Sequence, residues 1–291
     1  MSLPTAIVSD TIVSYPDGAL ASTGTVVHVE PLTDGRAAVV LDATAFHPVD
    51  PVWPDQPADR GTLTVAGVAH PVLEAVVGAT DGTTLFVGDA PVRTGTEGWA
   101  FAVCHIVADA SGIEPGAPAE IAVEPDARRA LSAGHTACHL ASLALNESLA
   151  GLWTKEVQPG GRGNPNFDQL AITESRILPN GSLDTYRIGK SLRKKGFAAT
   201  GLPDRIEEVM ATANALLGGW VASGAPVSIE RDGEGLGERR TWRCELPDAV
   251  VQIPCGGTHL SSLGELTGVH VTLELETVDG AMELRMRTTA S

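Results

Sequence analysis

The sequence predicts an α+β protein in two parts, a small antiparallel β-barrel over residues 1–124 followed by an α+β layered domain over residues 125–291. Three observations carry this. From Thr5 to about Val123 the chain runs in short β-branched stretches, GTVVHVEPL, GRAAVVLDAT, GTLTVAGVAH and TTLFVGDAPV, punctuated by Gly and Asp-Gly, which is the pattern of consecutive antiparallel strands. At Glu124-Pro125-Asp126 the pattern changes to ARRALSAGHTACHLASLALNESL, a Pro-free helical run of about six turns for which Asp126 offers an N-cap. Beyond it, one more helical pattern and several strand-like segments follow, the order expected when helices pack on an antiparallel sheet.

Each later element has its own warrant. Residues 151–181 are rich in Gly, Pro and Asn, as in QPGGRGNPN, and read as an irregular insertion. LPDRIEEVMATANALLGGWVAS reads as a helix from Pro203 to about Ser223, with Ile206, Val209, Met210, Ala213 and Leu217 as its buried stripe. APVSIER, TWRCELP, VVQIP, TGVHVTLELETV and GAMELRMRTT read as strands.

A chain of 291 residues, 43% hydrophobic and 19% charged, can bury sizeable cores. It has neither the apolar leader of a signal peptide nor a stretch near the roughly 18 apolar residues of a membrane span, so a cytoplasmic location without membrane partners is expected. Cys104, Cys138, Cys244 and Cys255 are too few and too scattered for a disulfide framework. The net charge of −16 excludes a generally nucleic-acid-coating surface, because phosphate binding needs clustered cations. Arg187, Lys190, Arg193, Lys194 and Lys195 form one such cluster in TYRIGKSLRKKGF; a local nucleic-acid patch and a plain solvated face are both open readings.

Two short words carry the chemistry. GHTACHL places His135 and His139 four residues apart on the predicted helix, hence on one face a turn apart. PCGGTHL places Cys255 and His259 at the same separation, with Gly256 and Gly257 giving the backbone freedom to turn both side chains toward one point. Together they offer the four nitrogen and sulfur ligands that zinc takes tetrahedrally, one ion per chain. Cys138 lies on the same helix face, as a competing ligand or a small buried hydrophobe. His28, His47, His70, His105 and His270 fall in strand or loop contexts where a hydrogen-bonded structural role is the default.

HTACHL and CGGTHLSSLGEL resemble the paired zinc motifs of the alanyl-tRNA synthetase editing domain and its free-standing relatives, the trans-editing (AlaX-like) aminoacyl-tRNA deacylases. The threonyl-tRNA synthetase editing domain has a similar core. DATAFHP followed by QPADRG, and RRALSAGHTACHL, extend the resemblance over most of the chain outside 151–181. It implies an N-terminal barrel of the translation-protein type beside a zinc-binding domain of the threonyl/alanyl-tRNA synthetase common type. The implied activity is metal-dependent hydrolysis of the ester joining a mischarged Ser, Gly or Ala to the acceptor end of tRNA, acting in trans. On this resemblance His135, His139, Cys255 and His259 hold zinc, Gln56 contacts the substrate amino acid and Thr136 lines the pocket. Asp59 and Arg60 fix the loop, and Glu265 caps or pairs structurally rather than acting as a base. Where relatives have glycines before the Gln, this chain has VDPVWPD, with Trp53 and two prolines, so an altered amino-acid pocket is expected. Two other readings stand beside it: a metal hydrolase of the same fold acting on another amino-acid ester or amide, and a non-catalytic, zinc-stabilised RNA- or protein-binding module.

Overall fold

The computed structural model describes residues 7–51 and 53–291; Thr5 and Ala6 of the first strand-rich run, and Val52 of VDPVWPD, lie outside the described residues. The chain divides into two compact units. The first takes Met1–Arg129, Ile229–Thr241 and Pro254–Thr258; the second takes Ala130–Ser228, Trp242–Ile253 and His259–Ser291.

The strands of the first unit are β1 (Ile12–Val13), β2 (Ala21–Pro31), β3 (Ala37–Leu41), β4 (Ala43–Thr44), β5 (Gly61–Val65), β6 (Val68–Val72), β7 (Glu74–Thr80), β8 (Leu85–Val87), β9 (Ala100–Val107) and β10 (Pro118–Val123). Eight of them pair in the order β6-β5-β10-β2-β3-β9-β7-β8, while β1 and β4 form a short parallel pair. The predicted closed barrel is not formed. Only Leu73 separates β6 from β7, and its N–H reaches Ile106 O at 2.8 Å, so the sheet curls through one bent strand, and among the described residues β6 and β8 end the ladder order with no pairing between them.

β3 and β9 read as continuous apolar runs because both of their faces are covered. On one face Val39, Leu41, Val103 and Val107 join a large core with Phe46, Leu63, Phe101 and Ile121; on the other Ala38, Val40, Ala102, Cys104 and Ile106 join a smaller one with Ile7 and Leu85. His105 is fully buried in β9 and bonded to Thr44 Oγ1 at 2.9 Å and Val39 O at 3.0 Å. Burial lowers its pKa to about 4 and keeps it neutral.

Helix α1 runs Pro125–Ser148. Its first residue is Pro125, a favoured first position since the missing N–H would have no helical partner, and Asp126 therefore sits in the first turn rather than at the cap. The second unit continues with α2 (Phe167–Ala171), β11 (Ile172–Leu178), β12 (Gly181–Ile188), α3 (Lys190–Lys194), α4 (Ile206–Ala222), β13 (Val227–Arg231), β14 (Arg240–Leu246), β15 (Ala249–Pro254), β16 (Val269–Val278) and β17 (Ala281–Ala290), of which β13, β14 and β15 begin or end in segments of the first. Part of the 151–181 stretch is thus regular structure, α2 and β11. The sheet order is β11-β12-β17-β16, with a separate β13-β14-β15 sheet. α4 buries Val209, Ala213, Leu217, Trp220 and Val221, and its Asn214 amide exchanges two hydrogen bonds with the Val271 backbone of β16, at 2.8 and 3.0 Å.

Gly134 of α1 faces the β11–β12 turn so closely that a Cβ there would meet Leu178 O and Gly181 O. The same turn is tied to the helix by Asn180 N–H, which donates to Ala130 O at 2.8 Å. A glycine just before His135 therefore lets this helix lie directly on the sheet.

Beneath the helix a polar network is buried in the sheet. Ser175 Oγ and Ser182 Oγ donate to Asp184 at 2.6 and 2.7 Å, and Tyr186 OH donates to Asp168 at 2.9 Å. Cys138 Sγ lies 3.5 Å from Asp184 Oδ1, which gives this thiol a partner in the network. Burial raises the Asp168 pKa to about 6, opposed by the Tyr186 hydroxyl. A carboxyl whose folded pKa exceeds its unfolded value binds an extra proton when folded, so stability falls as pH rises from about 4 to about 6. Asp168→Asn keeps the acceptor for Tyr186 and removes the buried charge. It is expected to raise stability at pH 7 to 8 by of order 1–2 kcal/mol and to flatten the pH dependence of thermal unfolding between about 4 and 6; a variant less stable at every pH would contradict this.

Candidate metal centre

His135, His139, Cys255 and His259 come together, one ligand atom from each lying within 4.8 Å of the others. α1 supplies the first two and the turn after β15 the others. The imidazole centroids are 4.8 Å apart for His135 and His139, 4.4 Å for His135 and His259, and 5.0 Å for His139 and His259. Metal bonds of about 2.0–2.3 Å in a tetrahedron place ligand atoms roughly 3.3–3.8 Å apart, which small side-chain rotations would reach. The cluster could therefore bind one metal ion. The donors fit that use: His139 Nε2 is buried with no hydrogen-bond partner among the described residues, and burial lowers the His139 pKa to about 4, leaving the imidazole neutral as ligation requires. Trp242, fully buried in β14, packs its indole 4.9 Å from the His139 ring.

Burial pushes the Cys255 thiol up to about 12, opposed by the Gly257 N–H directed at its sulfur. A bound cation must displace that proton, so metal uptake is expected to release about one proton per ion between pH 6 and 8. Titration calorimetry in buffers of different ionisation heat measures this; uptake with no proton released would remove Cys255 from the ligand set.

The residues around the cluster hold its side chains in place. Thr136 Oγ1 accepts the Leu260 N–H at 3.1 Å and lies 3.3 Å from His259 Nδ1. In the Nδ1–H tautomer His259 donates to this hydroxyl and presents Nε2 as its lone-pair donor, the usual way a partner fixes a ligating imidazole. Thr136→Val removes that acceptor and is expected to weaken metal binding by about 10–100-fold with the fold retained, while Thr136→Ser keeps it; competition with a chromophoric chelator separates the two.

Gln56 is buried and its amide is matched to the Thr258 residue that precedes His259: Nε2 donates to Thr258 Oγ1 at 2.9 Å and Oε1 accepts Thr258 N–H at 3.0 Å. Asp59 is also buried. It pairs with Arg128 and accepts the His47 N–H at 2.6 Å. Arg60 is tied through its backbone, Glu124 N–H donating to its carbonyl at 2.8 Å. Gly61 closes the QPADRG word because a Cβ there would collide with Ala122 O on β10. Glu265 completes a capping box with Ser262, beside the CGGTH turn. Trp53 is 46% exposed.

Arg187 ends β12 one residue early, Lys190, Arg193 and Lys194 lie on α3, and Lys195 caps it. All five are exposed. Sequence reasoning did not single out the Gln56–Thr258 pair, the Thr136–His259 contact or the Trp242 wall; the alternation of TWRCELP, which buries Trp242 and Cys244, is the one local signal that pointed to Trp242.

No protein-family model matches the chain. Over 255 residues, 87% of this chain, it is 25% identical to an alanine–tRNA ligase of Desulfosudis oleivorans, and it spans 24% of the length of that protein. No helix among the described residues is long and apolar enough to cross a membrane.

Proposed function

We propose that the protein is a zinc-dependent hydrolase that removes a mischarged amino acid of the Ser, Gly or Ala class from tRNA, in trans, by ester hydrolysis. The observation that carries the reading is the convergence of His135, His139, Cys255 and His259, since the two words that supply these ligands are those through which the sequence resembles editing domains. The similarity to an alanine–tRNA ligase along most of the chain supports a tRNA-related substrate.

When bound, zinc would supply Lewis acidity toward an ester carbonyl or a water. The chain's own part is to hold the site. Gln56 fixes Thr258, and Thr136 fixes His259 and Leu260, so both act in this reading by orienting the CGGTH turn on which two ligands stand. The acceptor end of tRNA is assigned to the exposed Arg187, Lys190, Arg193, Lys194 and Lys195, since the net charge of −16 repels phosphate elsewhere. Changing Arg193, Lys194 and Lys195 together to Ala is expected to weaken tRNA binding and to flatten its log–log salt dependence by up to about three units at roughly 0.7–0.9 per contact; an unchanged slope would return the cluster to a solvated face.

One observation favours a second reading. Four protein ligands are the signature of a structural zinc site, whereas a catalytic one keeps a position open, and this suits a zinc-stabilised RNA-binding module. Incubating the zinc-loaded protein with alanyl-, seryl- and glycyl-tRNA decides between them: release of free amino acid supports the hydrolase, and binding without release supports the module.

A further inference from the structure

Two arginines of the first unit are buried, Arg128 at 5% exposure and Arg240 at 8%. A guanidinium stays charged at any pH a protein tolerates, and a buried charge is costly unless paired. Arg128 is fully compensated: Nε and Nη2 donate to the Asp59 carboxylate, Nη2 also to Ala45 O at 2.8 Å, and Nη1 to Ala19 O at 3.1 Å. Arg240 is not. Nη1 and Nη2 donate only to the carbonyls of Leu236 and Gly235, at 3.0 and 2.7 Å, and the Nε–H is buried with no partner.

No carboxylate among the described residues forms an ion pair with Arg240. Asp10, which borders the same loop, is occupied by the Gly237 and Phe101 N–H groups, each at 2.8 Å. Tyr15 lies 5.5 Å below the guanidinium and offers its ring face, a partial compensation. It cannot serve as a counter-anion, because burial raises its pKa to about 12. The position of the charge gives it a role: the Arg240 carbonyl accepts the N–H of the metal ligand Cys255 at 3.1 Å, and the Tyr15 ring meets His47 edge-on at 5.0 Å, beside Gln56. Three neutral imidazoles and one thiolate would leave a bound divalent ion with net positive charge, so a loaded metal and the Arg240 guanidinium would both present positive charge near Cys255, where Asp55 and Asp50 act on Cys255 and Tyr15 but neither pairs with Arg240.

We propose that Arg240 is the cationic wall of an anion-binding site, taking a carboxylate or phosphate oxyanion of a small ligand through its Nε–H. The hydrolase reading enters only in naming the two sources of that oxyanion: the carboxylate of the released amino acid, or the phosphate that precedes the terminal nucleoside. Arg240 is thus a binding residue with a stated ligand chemistry, distinct from the metal ligands and from the exposed basic cluster.

The test is calorimetric titration of the metal-loaded protein, at fixed ionic strength, with inorganic phosphate and acetate, then with L-alanine against L-alaninol and with adenosine 5′-monophosphate against adenosine. The wild type is expected to bind the oxyanions. Arg240→Met should bind at least about tenfold more weakly, the scale of one lost charge-assisted hydrogen bond, with unchanged metal content, and Arg240→Lys should fall between, keeping charge without the planar fork. Preference for alanine over alaninol identifies the product carboxylate, and preference for the monophosphate over adenosine identifies the phosphate. Equal binding by wild type and Arg240→Met, or no binding of any oxyanion by the wild type, overturns the proposal. Should Arg240→Met fail to fold, wild-type unfolding with phosphate or acetate replacing chloride decides: a melting temperature that rises with anion concentration supports the site, and an unchanged one overturns it. No tRNA and no turnover enter these measurements, so anion binding without deacylation would sink the hydrolase reading and leave this one standing.

Discussion

Replacing His135, His139 or His259 by Ala is expected to lower bound zinc from about one equivalent per chain to a small fraction of it. Metal affinity should fall by more than the roughly 10–100-fold that follows loss of an outer partner, since a direct donor is gone. Because metal binding free energy is folding free energy, thermal unfolding of each variant should also come at lower temperature in the presence of zinc. His270 on β16 is exposed, and His270→Ala should change neither quantity. Metal analysis by mass spectrometry and a melting curve suffice, and full retention of zinc across the series would end the metal-centre assignment.

Asp59→Ala is expected to destabilise the protein by about 3–5 kcal/mol, the cost of stranding a buried charge when one partner of a pair is removed. The stranded group is Arg128, 5% exposed, and the same change frees the His47 N–H from its acceptor. Removing both charges with Asp59→Ala and Arg128→Met together should recover part of the loss, because the penalty belongs to the uncompensated guanidinium. Urea unfolding measures both; a loss under about 1 kcal/mol, the range of exposed pairs, would show that water or another acid replaces Asp59.

The readable parts of this chain were those governed by local rules. α1 was legible from a long Pro-free run, and the spacing of His135 and His139 placed both on one face of it. Ser262 and Glu265 follow the Ser-x-x-Glu pattern of a capping box and form one. Sheet closure was not legible, since it depends on how strands far apart in the sequence pair with one another, which no local pattern encodes. The bonds that support the His/Cys cluster were also hidden. Gln56 and Thr258 stand 202 residues apart, and Asp59 and Arg128 stand 69 apart; pairings over such distances leave no periodicity. The return of Ile229–Thr241 and Pro254–Thr258 to the first unit was hidden too, because it is set by contacts with residues more than a hundred positions away, and the Gly-rich RDGEGLGERR and PCGGT stretches read only as turns. Nothing in GERRTW marks Arg240 in the sequence; its burial beside carbonyls without a paired acid gives it significance.

The most direct test of the hydrolase assignment is turnover by the zinc-loaded protein of tRNA charged with alanine, serine or glycine, followed as loss of acid-precipitable aminoacyl-tRNA. The expected result is hydrolysis of at least one of the three well above the spontaneous rate, abolished by a chelator and by His259→Ala, and restored to the chelated wild type by added zinc. Hydrolysis of all three at the spontaneous rate by protein carrying its full equivalent of zinc would contradict it.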